Sequence, residues 1–273
     1  MDDKPFHKIS LTEEKATLLI TLYAKAFDNR SKHPILHDTK ADEIAAQLEY
    51  DFAKLEGFAL GRNLTVLRAK QLDEWLRAFL KANPQGVILN LGCGLDTRIT
   101  RINPEPFVSW FDVDYPEVIA FRQQFYANHD GYTMIGSSVT DAQWLAIIPK
   151  TRPVMIIAEG LLEYLTEDEV QTLLTRLTDA FPHGQIVFDV TNSFALRVGN
   201  AKRRKTTGAE HKWAVDTPDA VEQLNPKLKR IADQPLFSSP YRRELPWQFR
   251  IQYSVLALFP QVKTMLRLLH YQF

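Results

Sequence analysis

Cysteine is nearly absent from the chain: Cys93 is the only one. A single thiol excludes an intramolecular disulfide, and with it the small secreted scaffolds that depend on such bonds. Charge of one sign is lacking too. Lys plus Arg and Asp plus Glu both number 33, so the formal net charge is zero, which argues against a broad nucleic-acid footprint. No apolar run approaches the length of a membrane-spanning helix. The opening Met1-Asp-Asp-Lys-Pro-Phe-His-Lys8 has no signal-peptide core. The expectation is therefore a cytoplasmic protein with neither a membrane nor a nucleic-acid partner. The seven histidines are scattered, and none stands in a recognisable metal or catalytic spacing, so no metal is expected. Repeats and low-complexity segments are also missing.

What remains is a composition of 45% hydrophobic and 24% charged residues over 273 positions, ordinary for a globular chain that buries a core. That length suits one α/β domain with additions at its ends. Residues 1–84 read as a helical region, 85–195 as the core, and 196–273 as a covering region with the last strands. Helical periodicity runs from about Thr12 to Asn29, with Leu18, Leu19, Leu22 and Ala26 on one face. It recurs near Asp42–Asp51 and Leu64–Ala82, where Asn83-Pro84 is a helix stop. Strands at Val87–Leu91, Val108–Asp114, Tyr132–Ile135, Val154–Ala158 and Ile186–Val190 then alternate with helices at Val118–Ala127, Asp141–Ile147 and Glu167–Ala180. Such alternation predicts a mainly parallel sheet covered by helices on both faces. Beyond about Ser193 the alternation fails. Lys202-Arg-Arg-Lys205 reads as a solvated loop, and Pro235, Pro240 and Pro246 exclude one long helix. The N-terminal helices and this region are expected to roof a site.

The most informative stretch is Val87-Ile-Leu-Asn-Leu-Gly-Cys-Gly-Leu-Asp-Thr-Arg98. A run of β-formers ends in a Gly-x-Gly turn ahead of a helix start, the arrangement in which a nucleotide-like cofactor meets the carboxyl edge of a parallel sheet. Gly92 and Gly94 let the backbone turn sharply and a ligand approach closely. About 20 residues on, Val108-Ser-Trp-Phe-Asp-Val-Asp114 ends a second strand in acid, where a carboxylate can accept both hydrogen bonds of a ribose diol. Asp114, next to Tyr115-Pro116, is favoured. Asp112 lies on the same face at period-2 spacing, and Asp114-x-x-Glu117 also fits a capping box.

A dinucleotide fingerprint requires a third glycine, but Thr97 stands there. Asp96 puts an anion where a pyrophosphate would lie, which is unfavourable for NAD and tolerable for a cationic ligand. A sulfonium methyl donor carries a ribose and no phosphate, and this charge pattern favours it.

Asn90-Leu-Gly-Cys-Gly-Leu-Asp-Thr-Arg98, then Trp110-Phe-Asp-Val-Asp-Tyr-Pro-Glu-Val-Ile119, then Ala158-Glu-Gly-Leu-Leu-Glu-Tyr-Leu165 resemble three successive signatures of the leucine carboxyl methyltransferase family. Within it they are similar to the bacterial branch of tetracenomycin-type polyketide O-methyltransferases. The resemblance covers roughly residues 55 to 195 well and the ends more loosely. It implies a Rossmann-like class I methyltransferase fold, S-adenosylmethionine as cofactor, and a small-molecule methyl acceptor. It also leads one to expect that Met265–Phe273 is a final strand at an antiparallel edge.

The resemblance further implies that Arg68 grips the cofactor's carboxylate, a task suited to a bidentate guanidinium; Arg62 competes for the assignment. Glu159 follows a buried strand, where an unpaired acid would be costly. It suits the cationic methionyl portion, with Gly160 beside it; a helix cap is the alternative. Tyr164 is implied to contact the acceptor, although a core tyrosine would look the same. In Gly136-Ser-Ser-Val-Thr-Asp141 the adenine-reading acid of the family is replaced by Ser138, with the Val139 backbone beside it and Asp141 three residues on. Cys93 is read as small and apolar beside the cofactor. The cofactor-binding candidates are thus Arg68, Gly92, Cys93, Gly94, Asp114, Tyr115, Ser138, Val139, Glu159 and Gly160, and the catalytic ones Tyr164 and Arg68.

Methyl transfer from a sulfonium is an in-line displacement. A carboxylate acceptor is ionised at neutral pH and needs no base, whereas a hydroxyl acceptor calls for one, most simply a histidine. With no histidine motif in view, a carboxylate is favoured. The rivals are an NAD-linked oxidoreductase, a protein carboxyl methyltransferase and a binder of the cofactor without turnover. The acceptor's identity and the oligomeric state are not encoded in any recognised pattern.

Overall fold

A computed structural model describes residues 17–52, 59–203 and 210–273. Three helices come first, α1 (Thr17–Asn29), α2 (Thr39–Ala46) and α3 (Ala59–Ala82). Then follow β1 (Val87–Leu91), α4 (Arg98–Ile102), β2 (Ser109–Asp114), α5 (Pro116–Arg122), β3 (Tyr132–Gly136) and β4 (Val154–Ala158). The chain continues with α6 (Glu167–Ala180), β5 (Gly184–Thr191), α7 (Ser193–Arg203) and α8 (Asp219–Leu224), and ends with β6 (Lys229–Pro235), α9 (Trp247–Leu256), α10 (Pro260–Lys263) and β7 (Leu266–Gln272).

The strands form one sheet in the order β3-β2-β1-β4-β5-β7-β6. The first five are parallel, and β7 runs antiparallel to both β5 and β6. This is the Rossmann-like class I methyltransferase fold, α/β as the sequence predicts. Every residue of β1 and of β4 is buried, as central parallel strands covered on both faces require. In α6, Val170, Leu173, Leu174 and Leu177 are buried at helical spacing. Thr166 and Glu169 close a capping box at its start, with Glu169 Oε2 accepting from the Thr166 N–H at 2.8 Å.

Several boundaries differ from the sequence reading. The second helix starts at Thr39 because Asp38 caps it, accepting from Ala41 N–H at 2.9 Å. Helix α5 starts at Pro116, a favoured first helical position, and ends by Arg122. Between Asp141 and Ile147 there is only a 3₁₀ turn, Gln143–Ile147. Alternation does not stop at Ser193: α7 extends to Arg203, so Lys202 and Arg203 belong to a helix, and Arg204 and Lys205 lie outside the described residues, as do residues 12–16 of the first helix. The last strand is antiparallel, as expected, but it is not the edge. β6 covers it, and Lys229-Arg-Ile-Ala-Asp-Gln-Pro is a polar, largely exposed sequence suited to an edge strand and without a period-2 apolar pattern.

Candidate active site

The order β3-β2-β1-β4 brings four strand ends side by side, and each carries a sequence-predicted residue. Gly92, Cys93 and Gly94 follow β1, Asp114 and Tyr115 close β2, Ser138 and Val139 follow β3, and Glu159 and Gly160 follow β4. Gly92 and Gly94 adopt φ +62° and +48°, the left-handed region open to glycine. A Cβ at Gly92 would also come within 2.9 Å of Leu161 Cδ1.

Asp112 and Asp114 separate cleanly. Asp112 is fully buried and accepts from Asn90 Nδ2 at 3.0 Å, Trp110 Nε1 at 2.9 Å and Tyr132 OH at 2.6 Å. Arg122, also fully buried, lies 2.6 Å away as its ion partner. Asp112 is thus consumed by the interior. Asp114 accepts from the backbone N–H of Gly94 at 2.7 Å and of Tyr115 at 2.8 Å, so β2 and the glycine turn are tied together at the sheet edge. Burial raises its pKa, against the pull of those two N–H groups. The capping box is not formed; Tyr115, half exposed, is the N-cap of α5 and gives no side-chain cap. The Cys93 thiol is buried and pushed up by burial and by the Asp112 charge, which fits a small apolar filler and not a nucleophile.

Arg68 reaches from α3 to the far ends of β4 and β5. It donates Nε to Glu159 Oε1 at 3.0 Å and Nη1 to Asp189 Oδ2 at 2.7 Å, and Asp189 Oδ1 accepts from the Gly160 N–H at 2.6 Å. Arg68 Nη2 lies against Gly160, where an added Cβ would stand 3.5 Å from it. Arg62 instead stacks on the Phe27 ring, 3.8 Å from its centroid. Asp189 went unremarked in the sequence because it sits mid-strand among apolar residues; a lone acid in Ile186-Val-Phe-Asp-Val190 was the available signal.

These pairs belong to a larger buried cluster. Arg98, fully buried, donates to Asp73 at 2.7 Å, Asp96 at 2.5 Å and Glu159 at 2.5 Å. Lys25 of α1 reaches Asp96 at 2.5 Å, and Arg101 reaches Asp38 at 2.6 Å and Asp73 at 2.8 Å. Thr97, where a third glycine would stand, donates its hydroxyl to Asp38 at 2.5 Å. Asp96 is therefore an internal ion-pair partner and not the lone anion suggested by the sequence. Burial works to raise Asp96 and Glu159, but the neighbouring cations win: Arg98, Lys25 and Arg101 hold Asp96 well below the usual carboxylate range, and Lys25, Arg68 and Arg98 hold Glu159 down at about 2. The connected cluster comprises Asp38, Asp73, Asp96, Glu159 and Asp189 against Lys25, Arg68, Arg98 and Arg101. Among the described residues its acids exceed its cations by one. It also ties α1, α2 and α3 to the strand ends.

Beyond β3, the Ser138 hydroxyl lies 2.8 Å from the Thr140 hydroxyl and also accepts from the Thr140 N–H. Val139 is buried with its carbonyl accepting from Trp144 Nε1 at 3.3 Å, and Asp141 is exposed. Tyr164 stands in a 3₁₀ turn, Leu162–Tyr164. Its ring meets His211 edge-on, with centroids 4.9 Å apart and planes at 81°. His211 Nδ1 lies 3.3 Å from Glu163 Oε2. No motif marks this histidine, since it arrives from a segment 47 positions beyond Tyr164. Among the described residues no cluster of His, Cys, Asp and Glu is able to hold a metal ion, and no helix is long and apolar enough to cross a membrane.

The leucine carboxyl methyltransferase family model matches residues 11–178. The chain is 36% identical to the tetracenomycin polyketide synthesis O-methyltransferase TcmP of Streptomyces glaucescens, over 97% of this chain and 98% of that protein. It is 32% identical to the S-adenosyl-L-methionine-dependent methyltransferase dpfgK of Gibberella zeae, over 81% and 82% of the two chains. In fold it is similar to a DUF574 family protein from Streptomyces avermitilis, with a TM-score of 0.64 at 10% identity, covering 95% of this chain and 98% of that one.

Proposed function

Because the chain belongs to the leucine carboxyl methyltransferase family, we propose that it is an S-adenosylmethionine-dependent O-methyltransferase that methylates a carboxylate of a small, polyketide-like molecule. The observation that carries the cofactor half of this reading is the buried cluster with one carboxylate in excess at the ends of β4 and β5. A ligand with one net positive charge offsets that excess, and a pyrophosphate would add to it. The glycine turn suits close approach of the same ligand to the backbone, since Gly92 and Gly94 carry no Cβ.

Bound S-adenosylmethionine supplies an electrophilic methyl group on sulfur. Around it, Asp114 is placed to accept from a ribose diol, and Arg68, through Nη2 beside Gly160, to donate to a carboxylate. Glu159 holds positive charge at the methionyl end. Ser138 and the Val139 backbone face the adenine. The described parts of 1–84 and 196–273 roof the acceptor. These residues bind, align and exclude water, which is most of what a displacement on an already ionised acceptor needs.

The test is incubation with methyl-labelled S-adenosylmethionine and paired aromatic carboxylates and phenols. The proposed function predicts S-adenosylhomocysteine and methyl esters in equal amounts. Label appearing in ethers alone overturns the carboxylate assignment, and the absence of S-adenosylhomocysteine across the panel overturns the activity.

A further inference from the structure

A helix that lies on a membrane needs no uninterrupted apolar run, only an apolar stripe along one side. It therefore escapes the criterion on which the expectation of no membrane partner rests. α9 carries such a stripe. Among the described residues eleven large apolar side chains are exposed, and five of them fall within 247–259: Trp247, Ile251, Val255, Leu258 and Phe259, each more than half exposed. Trp247, Ile251 and Val255 recur every four residues and share one side of the helix. Leu258 and Phe259 prolong the stripe past its end. Exposed apolar side chains scattered singly need no explanation, but five on one surface do.

The opposite side of α9 is already occupied. Tyr253 is fully buried, meets Phe237 edge-on with ring centroids 5.4 Å apart, and donates its hydroxyl to the Leu60 carbonyl at 2.8 Å. Phe249, Leu256 and Ala257 pack into the same cluster. One face thus fixes the helix to α3 and to the body of the protein, and the stripe points away from both.

Charge decides what covers the stripe. Residues 240–265 hold Arg242, Arg243, Arg250 and Lys263 against the single acid Glu244, in a chain whose net charge is zero. Arg242 donates Nη1 to the Phe237 carbonyl at 2.9 Å. Arg243, Arg250 and Lys263 are exposed and make no ion pair among the described residues. They border the stripe: Arg243 precedes the helix, Arg250 neighbours Trp247 at i+3, and Lys263 closes α10 just beyond Phe259. A second copy of the chain would set one such positive face against another, and like charges oppose that contact. An anionic lipid surface takes up the cations and the apolar side chains together.

We propose that 243–263 is a docking site for the surface of an anionic phospholipid bilayer. Trp247, Ile251, Val255, Leu258 and Phe259 enter the headgroup layer, and Arg243, Arg250 and Lys263 pair with lipid phosphates. Trp247 suits that depth, with an apolar ring and an N–H left for the wet side.

The test uses the full chain with vesicles of phosphatidylcholine, alone or with about 30% phosphatidylglycerol. Trp110, Trp144 and Trp213 are buried and Trp75 is half-buried, so Trp247 is the tryptophan whose emission shifts to the blue on docking. Wild type is expected to sediment with the anionic vesicles about tenfold more tightly than with the neutral ones, and to release them in about 0.5 M salt. The double variant Ile251→Gln, Val255→Gln is expected to lose about tenfold in affinity, and Arg243→Gln, Arg250→Gln to lose the preference for phosphatidylglycerol. All four positions are exposed, so both variants should keep the wild-type Tm, which reports folding without reference to any cofactor. No vesicle binding by wild type, equal binding to both vesicles, or folded variants that bind like wild type overturns the docking site. Sedimentation equilibrium without lipid addresses the rival occupant. Equal mass for wild type and Ile251→Gln, Val255→Gln supports the lipid assignment, and a wild-type dimer that this variant dissociates gives the stripe to a second copy and overturns it.

Discussion

Arg68 on α3 and Glu159 at the end of β4, 91 residues apart in the chain, meet through Nε and Oε1 at 3.0 Å, and the second oxygen of the same carboxylate accepts from Arg98 at 2.5 Å. One acid therefore holds two buried guanidinium groups at the point where the cofactor's positive charge would lie. Glu159→Gln keeps the shape and removes the charge. S-adenosylmethionine, which carries the sulfonium, is expected to lose about tenfold in affinity, and the neutral thioether S-adenosylhomocysteine clearly less. Calorimetry with both ligands reads the difference; equal losses would remove Glu159 from its electrostatic role.

Asp112 and Asp114, two residues apart, have opposite expected phenotypes. Asp112→Asn breaks a fully buried pair with Arg122, which destabilises by roughly 3–5 kcal/mol. Its Tm should fall by many degrees. Asp114→Asn keeps one of its two contacts, because the Gly94 and Tyr115 N–H groups go to different oxygens and an amide nitrogen accepts neither. It should lower Tm far less than Asp112→Asn does and weaken S-adenosylhomocysteine about tenfold through the ribose. Thermal melts and binding on the two variants check this division.

Gly92→Ala places a side chain at φ +62° and 2.9 Å from Leu161 Cδ1. Strain of about 1–3 kcal/mol is expected, with cofactor affinity falling as the turn shifts. Denaturant unfolding gives the first quantity and calorimetry the second.

His270 of β7 is buried against Trp75, 4.9 Å between ring centroids, with Nε2 2.9 Å from Gln185 Oε1, and burial lowers its pKa to about 4. Its folded pKa lies below its unfolded value, so the unfolded chain takes up the proton first. Stability is complete above about pH 6.5 and is lost as pH falls toward 4, by up to about 3 kcal/mol. The Glu159 pairs act in a separate window: their contribution is present above about pH 4.5 and fades as pH falls toward 2. His270→Phe should flatten the upper part of the acid-unfolding curve and leave the lower part in place.

The strand ends were legible in the sequence because the glycine turn, Asp114 and Glu159 are each local signals at fixed distances from an apolar run. The parallel core was legible for the same reason: Val87–Leu91 and Val154–Ala158 are buried throughout and read as apolar segments, the first broken only by Asn90. The edge strand β6 was not, since its sequence is polar and its pairing comes from β7. The cluster of Lys25, Asp38, Asp73, Arg98, Arg101 and Asp189 was equally hidden. Those residues come from five different elements or their flanking loops, and only the fold brings them within ion-pair distance. His211 is hidden in the same way. Between Asp112 and Asp114 the pattern left two choices, and the buried partners of Asp112 take up its carboxylate.

The central claim is a cationic, phosphate-free cofactor at the glycine turn. It is tested most directly by titrating S-adenosylhomocysteine and, separately, NADH into wild type and Asp114→Ala. The prediction is micromolar binding of S-adenosylhomocysteine alone, weakened about tenfold or more by the substitution. Binding of NADH in its place would contradict it.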